Sequence, residues 1–155
     1  MKKVTLKATD PSGVVVTRTT ARSYSHVVFA RKSRDYWMRV AAEKWPHFDA
    51  NFWHHQGYLD GTSPFYAQNP WERDDLYRRR IETAKKVAEK VNRGCKTPDE
   101  LWELVKAENV ARAEAMDCKK WRVLGWCSRH DLAVRLMNSE ASDGRYSDIR
   151  IVEVS

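Results

Sequence analysis

The chain has 155 residues, 42% of them hydrophobic and 32% charged, with 28 Lys and Arg against 21 Asp and Glu for a formal net charge of +7. This balance fits one folded domain with a true core and excludes an intrinsically disordered chain. No apolar run is longer than Val27–Ala30, against the ~20 residues that a bilayer span needs, and no apolar stretch of signal-peptide type follows Met1-Lys2-Lys3.

Taken in chain order, Val4–Leu6 reads as a weak strand. Val14-Val15-Val16-Thr17 is a stronger one, entered through the turn formers Pro11-Ser12-Gly13. In the next strand, Tyr24–Ala30, one face carries Tyr24, His26, Val28 and Ala30, and the other Val27 and Phe29. Apolar residues on both faces predict a strand covered on both sides. From Ser33 the period becomes helical, with Tyr36, Trp37, Val40, Ala41 and Lys44 on one side and Ser33 as N-cap.

No lysine or arginine occurs between Lys44 and Arg73, yet that stretch holds Trp45, Phe48, Phe52, Trp53, Tyr58, Phe65, Tyr66 and Trp71. Pro46, Gly57, Gly61, Pro64 and Pro70 interrupt it, so it reads as an aromatic loop. Tyr77, Ile81, Ala84, Ala88 and Val91 then mark a helix that stops at Gly94. Thr97-Pro98-Asp99-Glu100 opens a second helix with a cap, an N1 proline and a capping-box glutamate, followed by Leu101, Trp102, Leu104, Val105 and Met116. The short connection predicts an antiparallel hairpin of a basic helix and an acidic one, whose charges largely cancel, with Glu82–Lys86 and Glu89–Arg93 as i,i+4 pairs.

The remainder reads as strand Trp121–Cys127, a helix over Leu132, Ala133, Leu136 and Met137 capped by Ser128 with Asp131, the turn Asp143-Gly144, and strand Ile149–Val154. A crossover of this length allows parallel pairing. The expected fold is therefore α+β in a single domain, 1–155. Residues 1–32 and 119–155 build a small sheet from both termini, and 33–118 form a helical insertion of helix, aromatic loop and antiparallel helical hairpin.

Charge is unevenly placed. Residues 1–48 hold ten cations against three anions, 49–118 eleven against thirteen, and 119–155 seven against five. Arg18, Arg22, Arg31, Lys32 and Arg34 are thus the candidate contacts for a nucleic acid, or else they are solvated strand-edge cations. Ser128, Arg129 and His130 lie between a strand and a helix N-terminus, which suits a phosphate or nucleotide; a plain helix start is the alternative. Cys127-x-x-His130 is half of a metal motif, which His54, His55 or another cysteine would have to complete. Buried cysteines acting as small hydrophobes are the other reading, and no metal or cofactor is expected. The aromatic segment is either core or a protein-binding surface, with Phe52, Trp53, Tyr58, Phe65 and Tyr66 as its contact residues.

Two stretches, Thr17-Arg18-Thr19-Thr20-Ala21-Arg22-Ser23-Tyr24-Ser25-His26-Val27-Val28 and Gly125-Trp126-Cys127-Ser128-Arg129-His130-Asp131-Leu132-Ala133, resemble segments of small uncharacterised bacteriophage proteins. The resemblance covers about a quarter of the chain and carries no catalytic motif. It implies an accessory or counter-defence factor acting in a host cytoplasm; the missing export signal separately predicts that Cys95, Cys118 and Cys127 are reduced thiols in a cytosol. The leading expectation is a non-enzymatic protein that binds a host protein through the aromatic segment. Nucleic-acid binding and a phosphate site are the alternatives.

Overall fold

The computed structural model describes all 155 residues and is α+β. It divides into two compact units, one formed by Met1–Val40 with Arg112–Ser155 and the other by Ala41–Ala111. No helix is long and apolar enough to cross a membrane.

The first unit starts with a hairpin of β1 (Val4–Thr9) and β2 (Val15–Thr20), paired antiparallel from Val4↔Thr20 to Thr9↔Val15. Its turn is organised by Asp10, 7% exposed. Asp10 Oδ1 accepts from Ser12 N–H at 2.8 Å, Ser12 Oγ–H at 2.6 Å and Val14 N–H at 3.0 Å. Burial pushes this carboxyl up, but those hydrogen bonds outweigh it and hold the group below its ordinary 3.8. A depressed folded-state value means stability that is present above about pH 4 and lost as pH falls through the folded value. Asp10→Ala should therefore cost ~1–2 kcal/mol at pH 7, and the cost should shrink on acidification below pH ~4 in urea melts. A cost unchanged by pH would show that the ionised carboxylate is not its source.

The second sheet has the order β4-β3-β5, with β3 (His26–Lys32) central and both neighbours, β4 (Arg122–Cys127) and β5 (Tyr146–Glu153), antiparallel to it. The expected parallel pairing does not form, because β3 lies between the two C-terminal strands and takes the hydrogen bonds of both. Two separate sheets replace the expected single one. Four consecutive β3 residues, Val27 to Ala30, are fully buried. One face puts Val27 and Phe29 against Ala8 of β1, with Val16, Trp121, Trp126 and Val152 around them. On the other face, Val28 meets Cys127 and Ala133, with Leu124, Leu132, Leu136, Ile149 and Ile151 around them. Ala133, Leu132 and Leu136 belong to α5 (His130–Ala141), so hairpin, sheet and helix form three layers. Gly125 allows the helix this close: a Cβ there would stand 2.8 Å from Leu136 Cδ2.

α1 (Arg34–Ala42) begins where Ser33 Oγ accepts from Tyr36 N–H at 3.3 Å, the cap its spacing predicts. In the helical unit the expected aromatic loop is largely regular structure: α2 (Phe48–Asp60) and a 3-10 turn, Pro64–Tyr66. Gly57 lies inside α2 instead of ending it. Its missing side chain makes room for the returning chain, since a Cβ at Gly57 would come within 3.2 Å of Ser63, whose N–H donates to the Gly57 carbonyl. The real stop is Gly61, with φ +75°.

α3 (Asp74–Asn92) and α4 (Pro98–Glu114) follow. Glu100 N–H donates to Thr97 Oγ1 at 3.3 Å, while the Glu100 carboxylate accepts from the Lys96 N–H, one residue ahead of the cap. The expected close hairpin of α3 on α4 is not the main packing; α3 lies most closely against α2. Phe52 of α2 is 1% exposed between Cys95 and Leu101, with Phe48 and Val105 beside it. Thus α2 takes the place the second hairpin arm was expected to hold. The i,i+4 pair expected at Arg93 gives way to a bidentate one with Glu108 of α4.

Candidate functional site

The aromatic surface is built on α2 and the segment after it. Along α2, Phe48 and Phe52 turn inward, which leaves Trp53 and His54 outward. Tyr58 lies one turn beyond His54 on the same side, and the two rings meet edge-on at 5.5 Å. Phe65, from the 3-10 turn, approaches His54 at 6.1 Å. His54 is therefore the centre of a surface ring cluster. Trp53 is 54% exposed and Phe65 59%.

The chain from Phe65 to Glu72 is held in place by α3. Arg80 donates to the carbonyls of Phe65 and Ala67 and forms a two-bond ion pair with Glu72. That pairing holds the Glu72 carboxyl below its usual range and raises Arg80. Tyr77 Oη–H donates to the Tyr66 carbonyl at 2.6 Å, and the Lys85 ammonium stands 5.3 Å from the Tyr66 ring centre. These bonds preset the conformation that displays Phe65.

Of the five aromatic contact residues expected, Trp53 and Phe65 are exposed, Tyr58 and Tyr66 are half-buried, and Phe52 is core. Phe52 is removed from the surface because helical spacing aligns it with Phe48 on the packed face of α2. Sequence reasoning also left His54, Trp45 and Trp71 out of the contact set. Trp71 is 82% exposed and Trp45 53%. The signal available for His54 was its i,i+4 relation to Tyr58, legible only once the segment is taken as helix.

The N-terminal cations are mostly engaged. Arg18 sits 4.8 Å over the Tyr24 ring, and Arg31 pairs with Asp148 and lies 4.6 Å over Trp121. Lys32 lies over Trp37, and Arg34 donates to the Met116 carbonyl. Arg22 is exposed. Arg18 and Arg34 are exposed as well.

Ser128, Arg129 and His130 do stand together at the start of α5, all exposed. Ser128 is not the cap: Arg129 occupies that position without a side-chain cap bond, and its guanidinium pairs with Asp131 at 3.2 Å. The Ser128 carbonyl instead accepts from Ser25 Oγ–H at 2.9 Å. This brings Ser25 and His26, which no linear spacing linked to the turn, to its side; only the register His26↔Cys127 reveals them as neighbours. Cys127 itself is buried, and burial pushes its thiol up.

A shallow cavity of about 380 Å³ lies by the Asp10 turn, lined by Val14, Val16, Trp121, Asp117, Lys119 and Lys120 among others. Comparison of the chain with protein-family profiles, curated proteins and solved structures finds no match.

Proposed function

We propose that this chain is a non-enzymatic binding protein that engages a partner protein through the aromatic surface of its helical unit. The observation that carries this reading is the exposure of Trp53 and Phe65 beside the His54–Tyr58 ring pair, on backbone already locked by Arg80 and Tyr77. Large aromatics contribute most to protein–protein hot spots, and a preset backbone reduces the ordering entropy lost on binding. The resemblance of the terminal segments to phage proteins makes a host protein, met in the cytoplasm, the natural partner. Nucleic-acid binding through Arg18, Arg22, Arg31, Lys32 and Arg34 has less support, since four of these five already have partners.

The test is capture from host lysate by the native chain and by Trp53→Ala and Phe65→Ala, with and without nuclease. Each substitution is expected to weaken capture at least tenfold while the melting temperature moves by less than ~4 °C, the shift for about 1 kcal/mol in a chain of this size. Capture that survives both substitutions, or that disappears with nuclease, sinks the proposal.

A further inference from the structure

At the end of the sheet where β3 begins, two imidazoles come together away from the aromatic surface. Ser25 Oγ gives its hydrogen to the Ser128 carbonyl at 2.9 Å, a group that only accepts. The 2.7 Å contact between Ser25 Oγ and His26 Nδ1 must then have the imidazole N–H as donor. This fixes the neutral tautomer of His26: Nδ1 carries the hydrogen and Nε2 carries the free lone pair. Histidines that bind metals are oriented in this way, with one nitrogen held by a hydrogen bond and the other left to coordinate.

The second imidazole is His130, the first residue of α5. Its ring stands edge-on to His26, with centroids 5.1 Å apart and planes at 64°. A zinc–nitrogen bond of ~2.0–2.1 Å puts an imidazole centre ~3 Å from the metal, so two rings at a tetrahedral angle lie ~5 Å apart. The observed spacing is compatible with that value, and it is also the spacing of other edge-on ring pairs in the chain, such as Phe52 and Trp53 at 5.1 Å. Glu153 flanks His26 in register on β5 and is exposed. Cys127 flanks it on β4, but its buried thiol, raised by burial, remains part of the core. No three His, Cys, Asp or Glu groups gather closely enough to hold a metal ion among themselves. The site is therefore a pair, and water or a group from solution completes the coordination.

We propose that His26 and His130 form a two-histidine site for a divalent transition metal of the imidazole-preferring kind, such as Ni²⁺ or Zn²⁺, open on its solvent side. Ser25 acts as the positioning residue through His26 Nδ1. Imidazole nitrogen suits these ions, whereas Mg²⁺ prefers oxygen ligands, so Mg²⁺ should not bind here.

The experiment is calorimetric titration of the full chain, without a histidine tag, with Ni²⁺ and in parallel with Mg²⁺. Saturable one-to-one Ni²⁺ binding is expected. His130→Ala should weaken it at least tenfold, and because His130 is exposed this variant keeps the fold. His26→Ala should do the same, and the double variant should be no weaker than either single one, since a lone imidazole cannot chelate. Ser25→Ala should weaken binding about tenfold with His26 and His130 intact, the low end of the effect of outer-sphere partners. His54 and His55 also have ring centres 5.3 Å apart, but as consecutive residues of α2 their side chains do not share a face, so the double variant His54→Ala with His55→Ala should leave the affinity unchanged. Absence of saturable Ni²⁺ binding at millimolar metal overturns the proposal. So does binding that is indifferent to His130→Ala, or binding lost only with His54 and His55.

Discussion

Phe52→Ala is expected to lower stability by ~3–5 kcal/mol, the range for an aromatic side chain truncated in a packed core. Phe52 is 1% exposed and sits between Cys95 and Leu101, with Phe48 and Val105 closing the cluster. A cavity there removes the most buried of the contacts that join α2 to α4, while the Phe48–Trp102 ring contact remains. Trp53→Ala, one residue on, should cost no more than ~1 kcal/mol. Its ring is 54% exposed and loses mainly the edge-on contact with Phe52 at 5.1 Å. Urea midpoints for the two variants measure this directly. Equal losses would mean that α2 does not present these neighbours to opposite environments. A larger loss for Trp53 would reverse the assignment of core and surface.

Asn92→Asp should cost about as much, and its cost should depend on pH. Asn92 is fully buried, and its Nδ2 donates to the Phe52 carbonyl at 3.1 Å and to Gln56 Oε1 at 3.3 Å. Its Oδ1 has no hydrogen-bond partner within the protein. An aspartate here replaces a donor with an acceptor facing two other acceptors, and burial disfavours its charged form. The folded-state pKa would rise above the unfolded value of about 3.9, so the neutral acid fits the folded state better than the carboxylate. The penalty from charge is absent below that pH and grows by ~1.4 kcal/mol per unit until the folded value is passed, reaching at most ~4 kcal/mol near pH 7. Asn92→Leu loses the same two bonds but buries no charge, and should cost ~1–2 kcal/mol at every pH. Equilibrium unfolding from pH 4 to 7 separates the two. A constant difference between the Asp and Leu variants would count against a buried carboxylate.

Much of the fold was legible because local rules agreed with the tertiary environment. The two-sided apolar pattern of Val27, Val28 and Phe29 required cover on both faces, and β3 has it. Ser33 and Thr97 have the sequence spacing of caps, and each accepts a backbone N–H. The aromatic segment reads as a loop in the sequence because Gly57 has two physical meanings, backbone freedom and a missing side chain, and only the second applies here. The partner of α3 also differs from the one the sequence suggests. A short connection favours adjacency with α4, whereas area burial by Phe52 and the Asn92 bonds select α2. The His26–His130 pair was invisible for a different reason: it depends on strand register, which brings together residues far apart in the chain.

The position of β3 also imposes an order on biosynthesis. This strand leaves the ribosome before the Ala41–Ala111 unit, but both strands that pair with it follow that unit. Until then, the most apolar run in the protein has no sheet partner, while the segment from Ala41 to Ala111 can already make its local helical contacts. The sheet closes only after the helical unit, so interruptions of translation between residues 111 and 122 should yield chains whose helical unit is formed and whose Val27–Ala30 strand is free to aggregate or to be held by a chaperone.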